Sequence, residues 1–273
     1  MGERPLFWDK ETETLSRKRL RALQIERLKK TLSQAIKIPF YKEKFRLLGI
    51  KPEDIKDLKD LKKLPFTTRE DLRENYPYGM LAVPRDKVIR LHTSSGTTGK
   101  PKAIFYSKRD IDVATELIAR CFTMTGTTKR DVFQNMMTYG LFTGALIMHY
   151  GAERVGAMVI PISAGNTERQ ITYMKDFQTT VIHLTPSYAL YLADVVNRLG
   201  LDPKRELYLK RAYVGAEPYS EETRRKIEEF FSIDVYNSYG LSEMGGPGVA
   251  FECTEKDGMH VWEDCFIVEI IDP

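Results

Sequence analysis

The spacing of apolar positions changes character near residue 88. Before it, Leu15, Leu20, Leu23, Leu28, Leu32, Ala35 and Ile36 form an imperfect stripe at helical spacing. Pro39 stops the stripe, so one helix is predicted over 13–37. A short helix then runs from Pro39 to about Leu48, closed by Gly49. Leu58, Leu61 and Leu64 lead into Pro65-Phe66-Thr67-Thr68, where Thr67 or Thr68 is a suitable N-cap for another short helix.

After residue 88 the pattern alternates. Val88–His92 reads as a strand and Ala103–Tyr106 as a second, and Ser107 with Asp110 opens a helix to about Thr123. Strands are predicted at Asp131–Met136, Ala157–Pro161, Thr180–Leu184, Arg211–Val214 and Val235–Tyr239. Between them fall helices at Gly144–Val155, Thr167–Phe177, Ser187–Leu199 and Glu221–Phe231. Such alternation argues for a parallel sheet covered on both faces. The last stretch offers strands without helices, at Val249–Cys253, His260–Glu263 and Phe266–Ile271. The expected fold class is therefore α/β in three parts: a helical segment over 1–75, an α/β core over 76–247 and a β-rich segment over 248–273.

Composition narrows the class. The 273 residues are 42% apolar and 29% charged, as in ordinary water-soluble domains. Residues 1–75 hold 20 Lys/Arg against 13 Asp/Glu, while the rest of the chain is slightly acidic. A nucleic-acid interface is one reading of that basic region; acids interspersed among the lysines favour a solvated helix face. Three cysteines give no disulfide framework, the N-terminus has no apolar leader, and no apolar run is long enough to span a bilayer. A cytoplasmic protein that avoids membranes is the expectation.

The candidate chemistry begins at Leu91–Lys102, Leu-His-Thr-Ser-Ser-Gly-Thr-Thr-Gly-Lys-Pro-Lys. Hydroxyls and backbone N–H groups donate to phosphate oxygens, glycines let the backbone approach, and lysines neutralise charge. It is not a Walker A loop. Aligned on Gly99-Lys100, Ser94 stands where that pattern has its first Gly, and Pro101 where it has the Mg²⁺-binding Ser/Thr. Three further segments stand out at predicted turns: Tyr139-Gly140-Leu141-Phe142-Thr143-Gly144, Val214-Gly215-Ala216-Glu217-Pro218 and Asn237-Ser238-Tyr239-Gly240-Leu241-Ser242-Glu243. At the carboxyl ends of parallel strands, such turns face a ligand crevice. Cys253, His260 and Cys265 supply two thiols and an imidazole. A closed zinc site needs a fourth ligand, and two packed thiols beside a polar histidine is the plainer alternative.

The phosphate loop resembles that of the adenylate-forming acyl-CoA synthetase superfamily, and the whole chain resembles its phenylacetate–CoA ligases. Pro39-Phe40-Tyr41 and Leu64-Pro65-Phe66-Thr67 with Asp71-Leu72 also resemble the helical entry segment of those ligases, and His260-Val261-Trp262-Glu263-Asp264 resembles a strand of the family. The resemblance implies that Ser94, Ser95, Gly96, Thr97, Thr98, Gly99, Lys100 and Lys102 hold the β- and γ-phosphates of ATP. It makes Glu243 the Mg²⁺ ligand, and Glu243 with Lys102 the catalytic pair. Gly215, Ala216, Glu217, Pro218, Asn237, Ser238, Tyr239 and Gly240 would bound the nucleotide. Tyr139, Phe142, Gly144, Gly215 and Ala216 would bound an aromatic acid. Cys253, His260 and Cys265 would hold a structural Zn²⁺ completed by cysteines beyond residue 273.

The implied reaction is attack of an aryl carboxylate, phenylacetate first among candidates, on the α-phosphorus of ATP. Pyrophosphate leaves, and CoA thiolate then displaces AMP from the acyl-AMP. The family continues past an Ile-Ile-Asp-Pro like Ile270–Pro273 into a ribose-binding Asp, a hinge and a small domain carrying a catalytic Lys. The expectation is thus a shortened chain without that small domain, with impaired turnover. Two alternatives stay open: a non-catalytic nucleotide or acyl-AMP binding module, and an adenylation module with another acyl acceptor. Homodimerisation also stays open.

Overall fold

Every residue of Val181–Leu184 is buried, and this strand is an inner strand of the molecule's large sheet. The computed structural model describes residues 6–94 and 101–271. The chain divides into two compact units, Met1–Asp9 with Asp110–Val261, and Lys10–Arg109 with Trp262–Pro273.

The first unit is a seven-stranded sheet with helices. In chain order its strands are β3 (Val132–Asn135), β4 (Met158–Ile160), β5 (Val181–Leu184), β6 (Arg211–Gly215), β7 (Asp234–Leu241), β8 (Gly246–Glu252) and β9 (Met259–Val261). Their spatial order is β4-β3-β5-β6-β7-β8-β9. The first five are parallel, as the alternating pattern predicts, and β8 and β9 add antiparallel. The helices are α5 (Lys108–Thr125, which begins two residues before the unit), α6 (Thr143–Arg154), α7 (Thr167–Asp176), α8 (Pro186–Arg198), α9 (Pro203–Glu206) and α10 (Glu221–Phe231).

Period-2 alternation divides each strand between two cores. Ile182 and Leu184 of β5, Ala212 and Val214 of β6 and Val235 of β7 join Ile171, Leu192, Val196, Ile227 and Phe231 from α7, α8 and α10. The intervening side chains build an aromatic core with α5. There Phe122 stacks on Tyr213 at 4.5 Å between centroids and lies 5.3 Å from Phe133, while Phe251 meets Tyr213 at 5.3 Å. The buried Tyr213 hydroxyl is matched by Thr125 and Thr127 Oγ1, each at 2.6 Å, and burial raises its pKa. At the turn from parallel to antiparallel, Glu252 of β8 accepts from Arg224 of α10 through both oxygens, at 2.6 and 2.7 Å, and from the Asn237 N–H of β7 at 2.7 Å. Trp8, at the N-terminal edge of this unit, donates to Glu116 at 2.6 Å.

Apart from one long helix, the second unit is made of short pieces. Where one helix over 13–37 is expected, a short α1 (Lys10–Glu13) and a longer α2 (Arg17–Ala35) occur. Ser16 is the reason: it adopts an extended conformation and its Oγ accepts the Arg19 N–H, restarting the helix. α3 (Pro39–Leu48) ends at Gly49 with φ 64°, and Thr68 caps α4 (Arg69–Glu74) in a reciprocal box with Asp71. Strands β1 (Val88–Thr93) and β2 (Ala103–Ser107) form a separate antiparallel hairpin. The helices gather around a small cluster of Leu32, Phe45 and Ile55. Trp262 is buried in this unit, and Asp264 is bonded through its carboxylate to Arg27 at 3.0 Å. The expected strand over 266–271 does not form. Val268, Ile270 and Ile271 are exposed, and no strand among the described residues pairs with them.

Candidate functional site

β3 and β5 are neighbours, yet the chain leaves β3 for β4 on one side and leaves β5 for β6 on the other. This reversal is the place where open α/β sheets leave a crevice beyond the carboxyl ends of their strands. A cavity of about 490 Å³ lies there. Its walls come from the ends of four strands: Met136–Thr138 after β3, His183 and Thr185 at β5, Gly215 and Ala216 at β6, Ser238 and Gly240 at β7. Phe142, Thr143 and Gly144 at the start of α6 complete it with Ser242, Gly246 and Pro247 from the β7–β8 hairpin.

Close backbone approach at the cavity wall requires glycine at two positions. A Cβ on Gly215 would press into the Ser238 carbonyl oxygen, and one on Gly240 into the Gly246 carbonyl oxygen. Ala216 holds φ 67°, a left-handed conformation that costs a non-glycine residue free energy and turns the chain sharply at the cavity wall. Thr143 Oγ1 and Ser242 Oγ are 2.9 Å apart, fastening the start of α6 to the hairpin. The N-cap of α6, Phe142, makes no side-chain cap bond, so the positive end of this helix faces the cavity without a capping oxygen.

The sequence-predicted residues fall into three groups. Phe142, Gly144, Gly215, Ala216, Ser238 and Gly240 meet at the cavity. Tyr139, Glu217, Pro218, Asn237, Tyr239 and Glu243 belong to the same unit but are not among its lining residues. The Tyr139 hydroxyl accepts from Asn135 Nδ2 at 2.8 Å and meets His149 Nδ1 at 2.9 Å, and burial pushes its pKa up to about 12. Glu217 accepts the Ser187 N–H at the start of α8, at 3.3 Å. Tyr239 is exposed, and Glu243 sits on the exposed turn Ser242–Met244. The third group is the phosphate loop, in the other unit. Ser95, Gly96, Thr97, Thr98, Gly99 and Lys100 lie outside the described residues. Ser94 and Lys102 are described and close its neck: Ser94 N–H donates to Lys102 O at 3.1 Å, and Lys102 N–H donates to Ser94 Oγ at 2.9 Å.

Among the described residues, no group of three or more His, Cys, Asp or Glu side chains is gathered to hold a metal ion. Cys253 Sγ instead accepts the Glu255 N–H at 3.4 Å, and Cys265 Sγ accepts from Arg27 at 3.4 Å. The residues present therefore do not fit a structural zinc site. A single exposed Glu243 fits Mg²⁺ of another kind, an ion that arrives with nucleotide phosphates and takes one protein carboxylate.

Sequence reasoning missed Asn135, His183, Thr185 and Tyr188. His183 is 5% exposed, and burial lowers its pKa to about 3, so it is neutral. Its Nδ1 lies 3.0 Å from Asn135 Oδ1, and the two residues are register partners across β3 and β5. The available signal was polar residues within two predicted core strands, Gln134 and Asn135 in Phe133-Gln134-Asn135 and His183 in Val181-Ile182-His183-Leu184.

The chain is 50% identical over 263 residues to the phenylacetate–coenzyme A ligase of Pseudomonas putida and 47% identical over 264 residues to that of Escherichia coli. Each match covers 96% of this chain and 60% of the relative, so the chain spans about three-fifths of those proteins' length. A solved structure of 2-hydroxyisobutyryl-CoA ligase in complex with 2-HIB-AMP and CoA superposes with a TM-score of 0.90 at 26% identity, over 96% of this chain and 58% of that one. The family model for AMP-binding enzymes matches residues 27–264, which include the phosphate loop and all three turn motifs. The chain belongs to the AMP-binding enzyme family.

Proposed function

We propose that this chain carries the acid- and nucleotide-binding part of an AMP-forming aryl acid–CoA ligase, with phenylacetate as the favoured acid. The observation that carries the reading is the cavity at the strand-order reversal, where Phe142, Gly144, Gly215, Ala216, Ser238 and Gly240 from three separate motifs come together. A chamber of about 490 Å³ is the right size for a small ligand. Phe142 offers an aromatic surface, and the glycines admit a flat ring. The uncapped start of α6 favours the negative charge of a carboxylate or of an acyl phosphate.

A carboxylate resists nucleophiles because of its charge and because oxide is a poor leaving group. One carboxylate oxygen attacks the α-phosphorus of ATP, the bond to the bridging oxygen breaks, and pyrophosphate leaves. CoA thiolate then attacks the acyl carbon and AMP departs. The loop from Ser94 to Lys102 holds the β- and γ-phosphates, and Lys102 offsets charge that develops on the leaving pyrophosphate. Glu243 is the carboxylate for Mg²⁺, which when bound neutralises phosphate charge. No protein nucleophile is required. The enzyme of this reading works in the cytoplasm on small molecules.

Isothermal titration of phenylacetate in the presence of Mg²⁺ and a non-hydrolysable ATP analogue tests the binding half. The expected result is saturable binding that Gly215→Val abolishes. Binding of ATP analogue with no aryl acid binding at millimolar concentration overturns the aryl assignment.

A further inference from the structure

The hydrogen bonds around Asn135 fix the state of a ring nitrogen in the cavity. Asn135 Nδ2 donates to the Ala145 carbonyl at 2.8 Å, and a carbonyl can only accept, so the amide cannot be turned around. The same Nδ2 donates to the Tyr139 hydroxyl, and Asn135 Oδ1 accepts the Met137 N–H at 3.3 Å. Oδ1 is therefore an acceptor on the side of His183, whose Nδ1 must carry the proton. In a neutral imidazole the other nitrogen, Nε2, then holds a lone pair.

Nε2 has no hydrogen-bond partner among the described residues, and it is not among the buried polar atoms sealed off without one. His183 lines the cavity, so Nε2 opens into it. The tautomer does not depend on the exposed end of the network. Tyr139 leads on through His149 Nδ1, and His149 Nε2 lies 3.0 Å from Glu153, but the Ala145 carbonyl sets the Asn135 orientation whatever His149 does.

Resting on the aryl acid reading above, we propose that His183, oriented by Asn135, determines which aryl acids the cavity accepts. It presents a fixed hydrogen-bond acceptor that selects rings bearing a donor, a hydroxyl or an N–H, over the bare ring. A buried acceptor that a ligand covers without bonding is left unsatisfied, whereas a ring hydroxyl of suitable position restores the bond. Discrimination of at least about tenfold follows from the cost of one such unmade bond.

The test is calorimetric binding of phenylacetate and its 2-, 3- and 4-hydroxy isomers to the chain with Mg²⁺ and a non-hydrolysable ATP analogue. One hydroxy isomer is expected to bind at least tenfold more tightly than phenylacetate, and His183→Met, which keeps bulk and removes the lone pair, is expected to erase that preference, bringing the isomer's affinity to that of phenylacetate for the same variant. Long-range ¹H–¹⁵N spectra of the unsubstituted protein supply a second readout that needs no variant. They are expected to show Nδ1 protonated, with the Nε2 resonance moving when the preferred isomer binds and staying with phenylacetate. Equal affinity for all four acids, a preference that survives His183→Met, or a protonated Nε2 overturns this inference and leaves the aryl reading standing. Binding of none of the four overturns both.

Discussion

The two units hold themselves together by different means. The unit with the large sheet buries whole strands, and in its aromatic core of Phe122, Phe133, Tyr213 and Phe251 the Tyr213 hydroxyl is paired with Thr125 and Thr127. The other unit has a three-residue buried cluster and many exposed ion pairs, such as Arg21 with Asp57 and Arg46 with Glu43. The difference shows where precision is needed. A cavity whose walls come from four strand ends keeps its shape only if the strands keep their register, and buried strands of period 2 resist slipping. In the other unit, Ser94 and Lys102 join the ends of the β1–β2 hairpin by two hydrogen bonds, Ser94 N–H to Lys102 O and Lys102 N–H to Ser94 Oγ.

Four measurements would break or sharpen this contrast. Phe133→Ala, in the aromatic core, should cost about 3–5 kcal/mol in denaturant unfolding followed by circular dichroism. A loss under about 1 kcal/mol would mean that the sheet is less tightly packed than its burial indicates. Leu32→Ala, in the small cluster, should cost about 2 kcal/mol, near the low end for a buried leucine because open surroundings can collapse on the gap. Equal losses at the two sites would erase the distinction.

Acid supplies the third. His183 is neutral in the folded chain down to about pH 3, whereas an unfolded histidine protonates near 6.5. Below about pH 6.5 the unfolded state binds a proton that the folded state refuses, so stability falls as pH falls, and the loss stops growing below about 3. The slope from this one residue approaches about 1.4 kcal/mol per pH unit within that window. His183→Met should lack it when unfolding is measured at pH 7 and pH 5; an unchanged difference between those pH values would show that His183 is not kept neutral. The smallest effect is expected at Arg21→Ala. Its bond to Asp57 lies at the surface with both side chains about half exposed, and the melting temperature should not move measurably.

Much of this fold could be read from residue order alone. The five parallel strands and the helices between them follow from alternation, and Glu221–Phe231 is found as expected because Ser220 caps it and its apolar stripe is regular. Errors arose where one side chain overrode the pattern. Ser16 interrupts a helix that spacing alone would join. The apolar run Phe266–Ile271 has the composition of a strand, and no strand among the described residues pairs with it. In the candidate site, glycines and an aromatic were legible because turns demand such residues. Asn135 and His183 were not, because polar residues in buried strands acquire meaning only once register sets them side by side.

The chain has two tryptophans, and each unit holds one. Trp262 is buried, while Trp8 is about one-third exposed and bonded to Glu116. The molecule thus carries its own pair of optical reporters, with Trp262 expected to emit at shorter wavelength than the wetter Trp8. Replacing either with Phe leaves a single fluorophore that watches one unit alone, so ligand titrations and unfolding curves can be assigned to a unit without attaching any dye.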